Sequence, residues 1–227
     1  IYDTAYLTHK SVFDLTNLPE RLIVCGAGPM GLELGQAFAN LGSQVTIIDR
    51  NEMLFKRDEP EVSNIMKSVF ENQNINLKLG YELISLSNEN YDKNVFIQNS
   101  IGSEVLSADQ ILFSLGRKPN SSNLGLDKVG IKCDQNGKII IDQRCRTSLS
   151  HVFACGDVAG PFNFTHMAGY QAGIIIRNTV FKLPAKCNYN VVPWVTFTKP
   201  EVAHVGFTEE EAKRATKKNT FLKSIYL

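Results

Sequence analysis

Gly26-Ala27-Gly28-Pro29-Met30-Gly31 follows the apolar run Leu22-Ile23-Val24-Cys25 and opens a helical segment from Leu32 to Leu41. A second apolar run, Val45-Thr46-Ile47-Ile48, then ends in Asp49. Strand, glycine turn, helix and strand in this order specify a parallel βαβ unit that can hold the pyrophosphate of a dinucleotide. Gly26 permits the tight turn, Gly28 lets backbone amides approach a phosphate, and Gly31 lets helix and strand pack closely. The helix start adds unpaired N–H groups and partial positive charge. Asp49 lies 21 residues after Gly28, near the ~20 at which a carboxylate meets the adenosine ribose.

The chain has 227 residues, 43% of them apolar and 21% charged, ordinary values for a folded domain or two. Its net charge is +1 with the basic residues scattered, so no nucleic-acid surface is indicated. No run approaches the ~18 apolar residues of a membrane span. The five cysteines (Cys25, Cys133, Cys145, Cys155, Cys187) form no CxxC or CxxxxC pair and have no histidine spaced for zinc. They read as small hydrophobes in a reducing, cytoplasmic compartment, with no metal site.

Residues 1–18 read as a connector. Arg57-Asp58-Glu59-Pro60 begins a second helix, with Val62, Ile65, Met66, Val69 and Phe70 on one face. Asn76–Leu79, Leu83–Leu86, Val95–Gln98 and Glu104–Leu106 look like short antiparallel additions, and Asp109–Leu115 like a buried strand broken at Gly116. Residues 19–117 thus form one unit, with Gly116-Arg117-Lys118-Pro119-Asn120 as the crossover into 118–190. There Asn136-Gly137 predicts a hairpin turn into a strand at Lys138–Asp142, and Val152–Cys155 a buried strand ending at Gly156-Asp157. A helix from about Thr165 to Phe181 is apolar nearly all round, which predicts burial on several sides, with Gly169 and Gly173 permitting close approach. Residues 191–227 change pattern again, with strands at Pro193–Phe197 and Val202–Val205. A helix from Thr208 follows, carrying the Thr208/Glu211 capping box and Lys217-Lys218 in its last turn.

Four ordered motifs together resemble the flavin-dependent pyridine nucleotide–disulfide oxidoreductases, the group of dihydrolipoamide dehydrogenase, glutathione reductase and mercuric reductase. They are Gly26–Gly31 with Gly35, Gly116–Asn120, the stretch from Thr147 through Val152–Asp157, and Pro193–Gly206, the last most similar to the mercuric reductase-like branch. The resemblance implies an α/β fold: a Rossmann-like dinucleotide-binding domain, a partial second FAD-binding lobe, and the start of an α+β interface domain. Residues 1–18 would connect from a flavin domain, 19–117 bind NAD(P), 118–190 form the second flavin segment, and 191–227 open the dimerisation domain. The family's other flavin fingerprint and its CxxxxC disulfide are not in the sequence. The chain is therefore expected to be a fragment, inactive alone, of a homodimeric enzyme.

The resemblance also assigns residues. Glu33 would position the nicotinamide beside the flavin, although a carboxylate near a helix start is favoured by the dipole in any case. Gly26, Ala27, Gly28, Pro29, Met30, Gly31 and Gly116 would bind cofactor. Asp49 and Arg50 disagree on which nicotinamide cofactor: the acid suits NAD, whereas Arg50 and Lys56 align with the phosphate-binding arginines of NADP-using relatives. NAD is preferred and NADP stays possible. Asp157 would accept a hydrogen bond from the flavin's ribityl chain. Thr165, His166 and Met167 would place a helix start at the flavin ring, with His166 a positioned side chain rather than a catalytic acid. The implied chemistry is hydride transfer from NAD(P)H to FAD and on to a disulfide or related acceptor. A noncatalytic NAD(H)-binding module and a flavin NADH oxidase without a redox disulfide are the alternatives.

Overall fold

A computed structural model describes residues 4–89 and 92–215. Contacts divide the chain into two compact units, one formed by residues up to Gly116 together with those from Val195 onward, the other by Arg117–Trp194.

The first unit is built on a parallel sheet of order β3-β2-β1-β7. Its strands are β1 (Arg21–Cys25), β2 (Gln44–Asp49), β3 (Asn76–Leu79) and β7 (Gln110–Phe113), connected in part by α1 (Pro29–Leu41) and α2 (Pro60–Asn72). Alternation along β1 sends Leu22 and Val24 to one face and Ile23 and Cys25 to the other. Leu22 and Val24 join Val45, Ile47, Leu112, Leu32 of α1, and Met66 and Phe70 of α2 in one core. Ile23 and Cys25 join Ile48, Ile111, Val95, Ile97 and Ala108 in a second. That second core lies against an antiparallel sheet of β4 (Glu82–Glu89), β5 (Asp92–Gln98) and β6 (Ser103–Ala108). A strand buried on both faces has no polar side, which is why β1 reads as a continuous apolar run.

Asn76–Leu79 corrects one expectation. It pairs parallel with β2, from Thr46↔Asn76 to Asp49↔Leu79, and is no antiparallel addition. The intervening α2 returns the chain to the start of the sheet, so a parallel crossover follows. The segment 4–18 is also more than a connector. Leu7 bridges Leu112 in parallel, its amide donating to the Ile111 carbonyl and its carbonyl accepting from Phe113, while Val12 enters the first core.

Residues 195–215 carry β8 (Trp194–Thr196) from its second residue, β9 (Val202–His204) and α4 (Glu209–Ala215). They group with the first unit instead of standing apart from it. Buried Gln36 on α1 accepts from the Lys199 amide at 2.6 Å and donates to its carbonyl at 2.9 Å. The Glu59 carboxylate accepts from the Glu209 amide. The capping box forms as expected, Glu211 N–H donating to Thr208 Oγ1 and Thr208 N–H to the Glu211 carboxylate. Lys217-Lys218 lie outside the described residues.

In the second unit the expected strands do not form. The Asn136-Gly137 turn closes with Gly137 N–H donating to Asp134 O, but only a single bridge, Cys133↔Ile139, follows. Val152–Cys155 is half-buried and makes one bridge, Arg146↔Phe153. The Asp134 carboxylate accepts the Asn136 and Lys138 amides, and that of Asp142 the Arg144 and Arg146 amides. Side-chain acceptors thereby take amides that ladder pairing would use. α3 (Thr165–Thr179) ends before Phe181 and buries a single stripe of Met167, Gln171 and Ile174. Tyr170 and Ile176 are exposed and Gly169 and Gly173 face open space, so the expected burial on several sides is not found.

Candidate dinucleotide-binding site

The glycine turn sits where β1 and β7 end, at the sheet's carboxyl edge. This is the crevice where parallel α/β sheets bind ligands, because the connection from β1 leaves on one side and β7 returns on the other. Gly26 N–H donates to Ile48 O at 2.8 Å and Ser114 N–H to Cys25 O at 2.8 Å, fixing the turn to both neighbouring strands. Gly26 has φ +110, and a Cβ there would stand 2.5 Å from the Ser114 carbonyl oxygen. A Cβ on Gly31 would collide with the Gly26 carbonyl, and one on Gly35 would stand 2.9 Å from Ile47 Cδ1. Helix and strand therefore approach as closely as the motif requires. A Cβ on Gly28 would meet nothing within 4 Å, so the space beside it is open.

Pro29 occupies the first turn of α1, where a missing N–H costs nothing. Leu32 N–H makes the bond to Gly28 O, leaving the Met30 and Gly31 amides ahead of the helix ladder. The Ala27 amide differs from the expectation of bare amides: it donates to Asp49 Oδ2 at 2.7 Å. Asp49 Oδ1 accepts the Asn51 amide at 2.8 Å and its side-chain Nδ2 at 2.7 Å. The acid that ends β2 is thus tied to the turn that ends β1. Arg50 is exposed, as is Lys56, whose ammonium donates to Asn51 Oδ1 at 3.4 Å. Under the turn, burial pushes the Cys25 thiol up to about 12, which keeps it an unreactive part of the wall. The half-buried Glu33 carboxylate accepts the Phe197 amide at 2.8 Å. Gly116 lies exposed just beyond the end of β7.

The second unit holds the other sequence-derived residues. Asp157 is exposed and pairs with Arg117 at 3.0 Å, whose second nitrogen donates to Asn163 O. Beneath it, fully buried Gln171 accepts the Gly156 amide at 2.7 Å and donates to the Tyr189 hydroxyl at 3.0 Å. Thr165 and His166 are exposed at the start of α3, while Met167 is buried. The His166 ring stacks on Phe164, 5.3 Å between centroids and 11° between planes. A half-exposed carboxylate above an ordered turn, with a helix start in the same unit, fits the polar groups of a flavin's ribityl chain and ring edge.

Asn51, Gln36, Gln171 and the Arg117–Asp157 pair were not anticipated. Asn51 had a local signal, an amide side chain two residues after the fingerprint acid. Gln36 and Gln171 had none, because a glutamine inside a helical pattern is silent until its partners are known. Among the described residues, no group of three or more His, Cys, Asp or Glu could hold a metal ion, and no helix is long and apolar enough to cross a membrane.

Residues 1–172 match the family model described as pyridine nucleotide-disulphide oxidoreductase. A mercuric reductase of Bacillus cereus is 39% identical over 92% of the chain and 33% of its own length. A dihydrolipoyl dehydrogenase of Chlamydia muridarum is 31% identical over 92% of the chain and 44% of its own length. Among solved structures, the Cu(II) complex of the HOCl-induced flavoprotein disulfide reductase RclA from Escherichia coli superposes with a TM-score of 0.85 at 25% identity. It is matched over 92% of this chain and 47% of its own. The chain thus spans less than half the length of these relatives. Its parallel sheet and glycine turn agree with that match, and the chain belongs to the pyridine nucleotide-disulphide oxidoreductase family of flavoproteins, which uses FAD and NAD(P)H.

Proposed function

We propose that the chain is the nicotinamide- and flavin-binding portion of an FAD-dependent disulfide oxidoreductase. In the whole enzyme, a cytoplasmic homodimer, hydride passes from NAD(P)H to FAD and on to a disulfide or related acceptor. Residues 19–117 serve as the NAD(P)-binding domain, 118–190 as the second flavin segment, and 191–227 as the start of the interface domain. The observation that carries this reading is the open space at Gly28, beside free helix-start amides and the braced Asp49.

The Met30 and Gly31 amides and the start of α1 hold the pyrophosphate. Asp49 keeps lone pairs for the ribose hydroxyls while bonded to Ala27 and Asn51. A 2′-phosphate about 4 Å from it would be repelled by roughly 1 kcal/mol in water and about 4 kcal/mol at an effective dielectric of 20. NAD(H) is therefore preferred over NADP(H), with Arg50 and Lys56 opposing. Glu33 positions the nicotinamide, and Gly116 lines the exit of the crevice. Asp157 takes a ribityl hydroxyl, and the Thr165–His166–Met167 helix start favours negative charge on the ring. The flavin itself supplies hydride acceptance and onward electron transfer.

Calorimetric titration of the chain with NADH and NADPH tests this. NADH should bind at least about fivefold more tightly. Tighter NADPH would overturn the NAD preference, and no binding of either would sink the nicotinamide reading.

A further inference from the structure

In the second unit, two thiols that the proposed chemistry does not use lie side by side. Cys145 Sγ and Cys187 Sγ are 3.5 Å apart, both buried. Backbone bonds hold them together: Cys187 N–H donates to Gln143 O at 2.7 Å, two residues before Cys145. Cys145 is further fixed by its own amide to Asp142 O and by its carbonyl, which accepts from Ala154. It also has φ +62, a left-handed conformation that a side-chain-bearing residue adopts only where its surroundings impose it. Ile174, Ala185, Ile141, Ile175 and Tyr189 enclose the pair.

We propose that Cys145 and Cys187 form an intrachain disulfide when the protein meets a small two-electron oxidant of the peroxide class.

The sulfurs must close by about 1.5 Å to reach a bond of ~2.05 Å, and segments already joined by a hydrogen bond need little backbone movement for that. Hydrogen peroxide oxidises one sulfur: its O–O bond breaks, an S–O bond forms, and water leaves. The second sulfur displaces that oxygen, forming S–S, and both thiol protons end in water. Two thiols and one peroxide thus give one disulfide and two waters. Burial, then the hydrogen bond with Cys187, pushes the Cys145 thiol up to about 12. The thiolate is consequently scarce at neutral pH and the first step slow, while a desolvated pair has little thiolate stabilisation to resist oxidation. The linkage would sit against Gln171, whose carbonyl faces Cys145 Sγ at 4.0 Å and whose side chain holds the Gly156 amide beside Asp157.

The test exposes the folded chain to hydrogen peroxide, blocks remaining thiols, and maps peptides without reduction. The Cys145–Cys187 peptide should dominate every other linkage by at least about tenfold. Its rate of formation should rise roughly tenfold per pH unit below the thiol's range. Cys133→Ser, at an exposed position, should leave it unchanged, and Cys187→Ala should abolish it. Dominance of another pair, or a linkage that appears only after denaturant unfolds the chain, would overturn the proposal. So would free Cys145 and Cys187 after excess oxidant while circular dichroism stays native.

Discussion

At the residue scale, Gly28 and Gly31 of one motif have different physical tasks, and the structure separates them. Gly31 is required by the fold, since any Cβ strikes the Gly26 carbonyl. Gly28 has ordinary extended backbone (φ −73, ψ 173) and empty space where a Cβ would point. Gly31→Ala should therefore cost about 1–3 kcal/mol of stability through overpacking. Gly28→Ala should stay within about 1 kcal/mol of wild type, yet weaken NADH binding by about tenfold or more, because its methyl would occupy the phosphate approach. Denaturant unfolding of both variants, paired with NADH titration of Gly28→Ala, checks this. Normal NADH binding by the Gly28→Ala protein would place the pyrophosphate elsewhere. Asp49 illustrates what one sequence conveys at this scale. Its place after the turn was legible from spacing, but its bond to the Ala27 amide was not, because a hydrogen bond across 22 residues follows from strand pairing and not from spacing.

At the element scale, legibility followed the strength of the burial signal. Strands β1, β2 and β7 of the first unit and both its long helices are readable because each buries a continuous run or a periodic stripe, whereas β3, only half-buried, carries no signal of its parallel pairing. The 118–160 region is less regular than its turn and strand signals predict, since Asp134 and Asp142 take amides that a ladder would need. β1 is anchored by a contact that makes a pH prediction. Burial alone would raise the Asp109 carboxyl, but the Arg21 amide at 2.8 Å and its guanidinium at 2.6 Å hold it below its ordinary value. A depressed folded-state value means that this stabilisation is complete above the unfolded carboxylate range, about 3.9. It is lost as pH falls through the lower folded value. Asp109→Asn should thus lose stability at pH 7 and show a shallower decline below pH ~4. Urea unfolding across pH 2–7 measures it, and parallel acid limbs for both proteins would show that Asp109 is not the titrating group.

At the scale of the whole molecule, one family uses two dinucleotides, and the described residues offer them unequal sites. The nicotinamide candidate has a complete strand–turn–helix with open space and a braced acid. The flavin candidate in the second unit has an exposed Asp157, already paired with Arg117, and the helix start at Thr165–Met167. In that unit α3 buries one stripe where its sequence predicts burial on several sides. Its apolar composition is visible in the sequence, but a helix is buried only where another element packs on it, and among the described residues its Gly169, Gly173 and Ile176 side has no such cover. A charged hydrogen bond contributes about 1.5–3 kcal/mol and a helix end up to ~2 kcal/mol, together short of the ~8 kcal/mol of micromolar affinity. The chain should therefore bind FAD with a Kd above about 100 μM, a regime of roughly 5.5 kcal/mol or less. Fluorescence titration of FAD, with Asp157→Ala as the comparison, measures this directly. Stoichiometric binding at micromolar FAD, lost in the Asp157→Ala variant, would mean that the second unit builds a full flavin site, and the Asp157 turn would then contribute more than one hydrogen bond and a helix dipole can.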